Sequence, residues 1–345
     1  MMPPRIPTAV AAPVLPVTVL PAPSAVAGES YVALGDSYSS GTGTRAYIAD
    51  GTDCRRSADA YPSLIASAKG FVLSLRACSG AKVADVAATQ LGALGPTTSY
   101  VSLSVGGNDV AFVSVLSECA KPAWLSNCTA AVDRTRALIT GLLPGRLDRL
   151  YEQVRVRAPR AAVAIVGYPR LFNGEDCNAG TWFSPRDQAG LNATVDLLNR
   201  TTAAAATRAG FVFVDPTVAF TGHAVCDDVE WLNGLSHPVS DSYHPNRVGH
   251  ALGYVPMVSA ALTGSRVTVT AETLWTTEQT IPALSEQQAA YADVDQRTRA
   301  EEFVPPDLSS PAARAAAARA GVDLSDPASI ARADRAVEAA QTRGR

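Results

Sequence analysis

Short apolar runs alternate with longer stretches of helical periodicity from residue 31 to about residue 262. The apolar runs predict strands at 31–35, 71–77, 100–105, 161–167 and 211–214. Helical periodicity lies between them at 58–69, 83–91, 129–158 and 185–209, and resumes near residue 246. Gly141, Pro144 and Gly145 predict a break in the 129–158 stretch. Nearly continuous apolar strands separated by helices are typical of a parallel sheet covered on both faces, so the pattern predicts a three-layer α/β/α domain.

Polar, glycine-rich turns follow three of the predicted strands, at the edge where open α/β sheets bind ligands. They read GDS at 35–37, CSG at 78–80 and GGND at 106–109. A fourth segment, DSYHPN at 241–246, precedes the last helix. Hydrolysis at a serine needs a base, a group that orients the base, and donors for the developing oxyanion. These four segments contain residues of every one of those types.

Each of these residues also has a purely structural interpretation. A serine after a strand is commonly an N-cap of the next helix, which is the first interpretation of Ser37 taken alone. Asn108 and Asp109 could form a turn and a cap, and Gly80 a tight turn. Asp36 points away from Ser37 if the strand alternation continues, so we predict a scaffold role for it.

Among the four histidines, His244 is the best candidate for the base. It has an acid three residues earlier and a predicted helix directly after it. His223 lies close to Cys226, His250 falls inside the last predicted helix, and His237 lies in a Gly/Pro loop. We predict a structural role for His223, contact with solvent or a neighbour for His250, and no role as the base for His237.

Charge and hydropathy exclude several classes of function. The chain has 345 residues, with 29 Lys and Arg against 32 Asp and Glu and a net charge of −3. This balance argues against a nucleic-acid partner and against a charged membrane-binding surface. Residues 1–27 resemble a signal peptide cleaved after Ala27, which predicts a secreted protein; a Pro/Ala-rich linker is the alternative. No other stretch approaches the roughly 18 apolar residues of a membrane span.

Six cysteines, all between Cys54 and Cys226, agree with export, because an even number in an oxidising compartment usually means disulfides. About 15 connectivities are possible. The simplest hypothesis joins neighbours: Cys54 with Cys78, Cys119 with Cys128, and Cys177 with Cys226. The cysteine and histidine spacings do not match a zinc site, so we expect no structural metal.

The chain changes character after Gly264 and becomes rich in Ala, Arg, Glu and Asp. Residues 267–269 could form one more strand. The sequence DLSSPA at 307–312 recurs as DLSDPA at 323–328, and each copy supplies a cap and a proline for a short helix. Because few large apolar side chains are available, we expect 265–345 to be a mobile or loosely docked extension, partly helical or disordered, that catalysis does not need.

The four segments in order resemble the blocks of the SGNH hydrolase superfamily, also called GDSL lipases and esterases. The sequences ALGDSYSSG, ACSGA, GGND, GYPR, FTGH and SYHP, with the six cysteines, are similar to secreted lipases and esterases of Streptomyces and other actinobacteria. The resemblance covers about residues 29–262, within a domain that we place at 28–264. It implies a mostly parallel, about five-stranded, flavodoxin-like sheet.

The resemblance implies a role for each matching residue. Ser37 matches the nucleophile and one oxyanion donor, Gly80 a backbone N–H donor, and Asn108 the side-chain donor. His244 matches the general base and acid, and Asp241 the acid of the triad. In several actinobacterial relatives the resemblance instead implies a backbone carbonyl beside the histidine, so triad and dyad both stay open.

The function predicted from the sequence is a secreted serine esterase or lipase that hydrolyses carboxylic, acyl lipid esters through an acyl-enzyme. We expect no cofactor, no metal, a monomer and a small-molecule or lipid ester as the only partner. A carbohydrate acetyl esterase and a phospholipase are alternatives with the same blocks. A secreted binding protein without activity is the alternative of another class. Such a protein should have lost at least one of the matching residues Ser37, Gly80, Asn108 and His244, and all four are present.

Overall fold

The computed structural model describes residues 1–2 and 28–343, so the predicted signal peptide lies almost entirely outside the described residues. The domain is built on one parallel sheet of five strands in the order β2-β1-β3-β4-β5. The strands are β1 Ser30–Gly35, β2 Val72–Leu75, β3 Tyr100–Ser104, β4 Ala162–Val166 and β5 Val212–Val214. All five lie at the predicted places, and the predicted α/β class is confirmed.

Helices cover both faces of the sheet. They are α1 Ser37–Ser40, α2 Tyr61–Lys69, α3 Val83–Asp85, α4 Phe112–Cys119, α5 Cys128–Gly141, α6 Leu143–Arg157, α7 Pro185–Arg208, α8 Val255–Thr263, α9 Ala271–Ala289, α10 Ala292–Asp295, α11 Pro311–Ala320 and α12 Pro327–Arg343. Short π-helices at 86–90 and 249–254 continue α3 and precede α8. The predicted break of the 129–158 stretch separates α5 from α6.

Alternation along β1 divides the core between the two faces. Tyr31 and Ala33 pack into the cluster that contains residues of α2 and α8. Val32 and Leu34 point the other way, into the cluster formed with α6 and α7. Because successive strand residues face opposite sides, a strand buried on both sides is apolar throughout, as the sequence of β1 is.

The cysteines pair as neighbours: Cys54 with Cys78, Cys119 with Cys128, and Cys177 with Cys226. These are the pairs that the sequence hypothesis proposed. The first bridge ties the loop before α2 to the turn that contains Gly80.

The stretch 267–269 is not a strand, contrary to the sequence-based prediction. The backbone N–H of Val267 donates to Ser259 Oγ at 2.8 Å, so this stretch lies against α8. Its hydrogen bond therefore goes to a helix side chain in place of a sheet edge.

The expectation of a loosely docked extension is wrong for its first half. Asp295, the last residue of α10, is buried together with Arg56 and Arg76, which are fully buried. The Asp295 carboxylate lies 2.6 Å from Arg56 Nη2 and 2.8 Å from Arg76 Nη2. Asp50 supplies one buried anion, 2.8 Å from Arg56 Nη1, and the extension supplies the second although it has few large apolar side chains.

The second half of the extension forms the two helices that the repeat predicted, α11 and α12. Ser310 caps α11 by accepting from the backbone N–H of Ala313 at 3.2 Å. Ala317, Val322 and Ile330 form a small cluster against Trp124 and Trp182 of the main domain. The extension is thus held to the domain at two separate places.

We predict that Asp295→Asn lowers the free energy of unfolding by about 3–5 kcal/mol, because removing one partner leaves buried charge without compensation. Urea denaturation followed by circular dichroism measures the change. The matched control is Asp293→Asn on the exposed side of α10, which should change stability by no more than about 0.5 kcal/mol. Equal stability of the two variants would contradict the assigned role of Asp295.

Candidate active site

The turn that carries Ser37 forms because β1 ends at a glycine. Gly35 has φ +123°, and a Cβ there would lie 2.2 Å from the carbonyl oxygen of Ser104 on the adjacent strand. Only glycine accepts this close approach and this backbone conformation. Asp36 follows and caps α1 by accepting from the Tyr38 N–H at 3.1 Å, which leaves Ser37 as the first residue of that helix.

Asp36 supports this turn from beneath. Its buried carboxylate accepts from Tyr168 Oη at 2.5 Å and from Ser104 Oγ at 2.8 Å. Burial raises the pKa of Asp36 to about 6, and these hydrogen bonds oppose the rise. The contacts fit the scaffold role predicted for this residue.

Ser37 and His244 meet across 207 residues of sequence. His244 Nε2 lies 2.9 Å from Ser37 Oγ, and His244 Nδ1 lies 2.8 Å from the carbonyl oxygen of Ser242. A carbonyl oxygen only accepts, so Nδ1 carries the proton of the neutral ring. Nε2 is then free to accept the proton of the serine hydroxyl, which is the arrangement of a nucleophile with its base.

Asp241 does not contact the imidazole, so its predicted place beside His244 is corrected. Its buried carboxylate accepts from Tyr47 Oη at 2.5 Å and lies 3.9 Å from Arg45 Nε. The chain turns at Tyr243, which has φ +59°. With this turn the carbonyl of Ser242, in place of the Asp241 side chain, pairs with the ring. The group that pairs with Nδ1 is therefore a backbone carbonyl, and the Asp241 carboxylate is turned to other partners.

The predicted oxyanion donors lie on adjacent loops. Asn108 lines the same cavity as Ser37 and His244, and its Nδ2 donates to the carbonyl of Ala81 at 3.2 Å. Gly80 has φ +83° and follows the Cys54–Cys78 bridge. Gly80 does not line that cavity, because the backbone of Ala300 lies against it: a Cβ on Gly80 would be 2.3 Å from Ala300 Cα.

A narrow apolar cavity of about 60 Å³ opens beside Ser37. Side chains of α4 and α7 form much of its wall, including Phe112, Leu116, Val195 and Leu198. Phe303, from the extension, lines it as well. Its apolar wall next to a serine–histidine pair has the chemical character that suits the acyl part of an ester.

Burial lowers the pKa of His244 to about 4. The hydrogen bond to the Ser242 carbonyl and the charge of Asp241 oppose this change, while Arg55 adds to it. The imidazole is consequently neutral at neutral pH, as a general base must be.

The other histidines have structural surroundings. His223 stacks on Trp231 with ring centroids 3.8 Å apart. His250 is fully buried and accepts from the Tyr61 N–H at 3.2 Å through Nδ1. His237 is exposed. None of the three replaces His244.

Sequence reasoning missed Ser242, Tyr38 and the residues of the extension that reach the site. Tyr38 Oη donates to the carbonyl of Tyr243 at 3.0 Å and so fixes the turn before His244. Every residue offers a carbonyl, so no sequence signal marks Ser242. Phe303 does carry a sequence signal, because it is the single aromatic in the stretch 292–345.

Comparison with known proteins agrees with this fold. The sequence model of the GDSL-like Lipase/Acylhydrolase family matches residues 33–252. A lipase of Streptomyces rimosus is 40% identical over 233 residues, which cover 67% of this chain and 86% of that protein. Lipase 1 of Streptomyces coelicolor is 38% identical over 238 residues, or 68% of this chain and 87% of that protein.

Two solved structures are similar as well. The crystal structure of the extracellular lipase from Streptomyces rimosus has a TM-score of 0.63 and 39% identity. That of phospholipase A1 from Streptomyces albidoflavus has a TM-score of 0.63 and 41% identity. In both cases 68% of this chain covers 100% of the other, so the rest of this chain has no counterpart there.

The chain belongs to the GDSL-like lipase/acylhydrolase family, and it is an ester hydrolase. Its similarity is to the lipases of Streptomyces, as the sequence blocks predicted. In the part of the chain that the structure describes, no helix has the length and apolarity needed to cross a membrane.

The lowered pKa of His244 predicts that the enzyme keeps its activity well into the acidic pH range. Because the ring stays neutral until the pH falls to about 4, kcat/KM should keep its plateau through pH 6 and decline only near pH 4. Initial rates on a p-nitrophenyl ester across pH 3.5–8, with circular dichroism to verify folding, measure this. A decline centred near about 6.5, the ordinary value for histidine, would contradict it.

Proposed function

We propose that Ser37 is the nucleophile of this ester hydrolase and His244 its general base, acting as a dyad supported by a backbone carbonyl. The observation that carries the proposal is the 2.9 Å contact between Ser37 Oγ and His244 Nε2 beside an apolar cavity. The Ser242 carbonyl holds the ring in the tautomer that accepts the serine proton.

In the first step, Ser37 Oγ attacks the ester carbonyl while Nε2 takes its proton. The tetrahedral intermediate collapses to an acyl-enzyme, and the alcohol leaves with the proton from Nε2. A water then attacks the acyl-enzyme by the same proton path and releases the carboxylic acid. The Ser242 carbonyl stabilises the protonated ring in both steps through the Nδ1–H.

The developing negative charge requires donors close to Ser37. We assign the Asn108 side-chain amide and the backbone N–H groups of Ser37 and Gly80 to this role. The positive φ of Gly80 and its missing Cβ suit a backbone N–H that approaches a substrate closely.

We infer that the substrate is a carboxylic ester with an apolar acyl group. Support comes from the cavity wall of α4 and α7 and from the relatives named lipase. A phospholipid is the second candidate, favoured by the 41% identical relative described as phospholipase A1. Rates on p-nitrophenyl acetate, butyrate and octanoate and on phosphatidylcholine distinguish the acyl and headgroup preferences.

We propose further that the protein is exported after cleavage near Ala27. Three disulfides suit an oxidising compartment, and one relative is described as extracellular. N-terminal sequencing of the protein from a culture medium tests this; a mature protein that still begins at Met1 would reject the cleavage.

Ser37→Ala should abolish esterase activity, and Asn108→Ala should reduce kcat about 10²–10³-fold, because one oxyanion donor is worth that much. Both should fold, since neither removes core packing. Turnover of p-nitrophenyl butyrate and labelling by a fluorophosphonate measure the effects. A Ser37→Ala protein that retains full turnover would end the proposal.

Asp241→Asn distinguishes the dyad from a triad. A triad acid replaced by its amide loses about 10⁴ in kcat, because the histidine tautomer is wrong. Here we expect a loss of no more than about tenfold, since the Ser242 carbonyl orients the ring and Asp241 is the smallest of the influences on the pKa of His244. A loss near the triad value would assign the orienting role to Asp241.

A further inference from the structure

One stretch of the extension, residues 299–303, crosses the candidate active site; we call it the strap. It follows α10 and precedes α11. At Gly80 the strap backbone is in direct contact: a Cβ there would be 2.3 Å from Ala300 Cα and 2.8 Å from the carbonyl oxygen of Arg299. The strap backbone thus lies directly against Gly80, one of the proposed oxyanion donors.

The strap also forms part of the wall of the cavity beside Ser37. Phe303 is 5% exposed, and its ring centroid lies 4.8 Å from that of Tyr243, the residue before His244. Glu301 and Glu302 line the same cavity as Ser37. The remaining volume of about 60 Å³ is far below the roughly 300–1,000 Å³ of small-molecule sites. An acyl ester does not fit while the strap is in this position.

Charged contacts hold the strap on both sides of the site. Glu302 pairs with Arg55 at 2.6 Å, and Glu301 Oε1 lies 3.4 Å from Lys82 Nζ. Glu301 also accepts from Ser114 Oγ at 3.2 Å. These groups are partly exposed, and exposed ion pairs are weak, so the strap is held far less firmly than Asp295 beside it.

The strap joins two firmly docked parts of the extension. Upstream, Asp295 is buried between two arginines; downstream, α11 and α12 pack with Trp124 and Trp182. The family match ends at residue 252, and the two similar Streptomyces structures are covered completely by 68% of this chain. The strap is therefore an addition to the catalytic domain and not a wall that the family shares.

We propose that the strap is an autoinhibitory segment that occupies the ester site and must be displaced before substrate binds. The inference rests on the proposed role of Ser37 and goes beyond it. The apparent activity of the intact chain then equals the activity of the open form multiplied by the fraction of molecules that are open. The earlier expectation that catalysis is indifferent to the extension is replaced by this proposal.

The repeated sequence of the extension provides a matched pair of cuts in the full chain. One variant receives a site-specific protease sequence between Pro306 and Asp307, directly downstream of the strap. The control receives the same insertion between Val322 and Asp323, beyond α11, where the next three residues are again Asp-Leu-Ser. Both cuts leave Asp295 in place.

We expect cleavage after residue 306 to raise kcat/KM on p-nitrophenyl butyrate about tenfold or more, and cleavage after residue 322 to change it by less than about twofold. A second, uncut variant, E301Q/E302Q, should gain about fivefold, because it loses two exposed ion pairs. Its control is Glu286→Gln on α9, which is exposed.

Rates that stay unchanged in both the cut chain and the E301Q/E302Q chain overturn the proposal, because no inhibition has been relieved. A decrease in either overturns it too, since the strap would then belong to the productive pocket. Fluorophosphonate labelling separates this result from failure of the proposed function. If the chain is labelled equally before and after the cut, only the inhibitory role of the strap is rejected. If the chain is never labelled, the role of Ser37 as the nucleophile is rejected.

Discussion

The contact between β1 and β3 at Gly35 is the constraint on which the site depends. The missing side chain admits the Ser104 carbonyl. Gln90 donates to the Gly35 carbonyl at 2.9 Å and accepts from its N–H at 2.7 Å, and the Cys78 N–H donates to the same carbonyl at 3.0 Å. The serine turn, the third strand and the loop that leads to Gly80 are therefore fixed at a single residue. Any side chain at position 35 would separate parts that have to act together.

Much of the fold follows from the sequence because its signals are local. The apolar runs mark all five strands, and Gly141 with Pro144 marks the break between α5 and α6. Ser37 and His244 also lie at local signals, since one follows a strand into a glycine-rich turn and the other precedes a helix, but only the four segments in order indicated a role for them. A parallel sheet then brings strand ends to one edge, whatever their separation along the chain.

The parts that the sequence did not predict depend on the backbone or on distant charges. The partner of His244 is a main-chain carbonyl, which no residue type identifies, and the turn at Tyr243 decides which carbonyl it is. The buried ion pairs that help to dock the first half of the extension come from one carboxylate, Asp295, among many acidic residues in this part of the sequence. Composition describes an average over such a stretch, whereas a buried ion pair needs only a single position.

Asp295 has a consequence for the order in which this protein can complete its folding. Arg76 lies in the segment between β2 and Gly80, and its buried carboxylate partner comes 219 residues later in the chain. Synthesis proceeds from the amino terminus, so most of the sheet is made long before this charge can be neutralised. The interior beside β2 thus reaches its final form only after nearly the whole chain has been made, and contacts of such long range are formed slowly. The extension thereby acts as the last element to close the core of a domain whose strands all precede it.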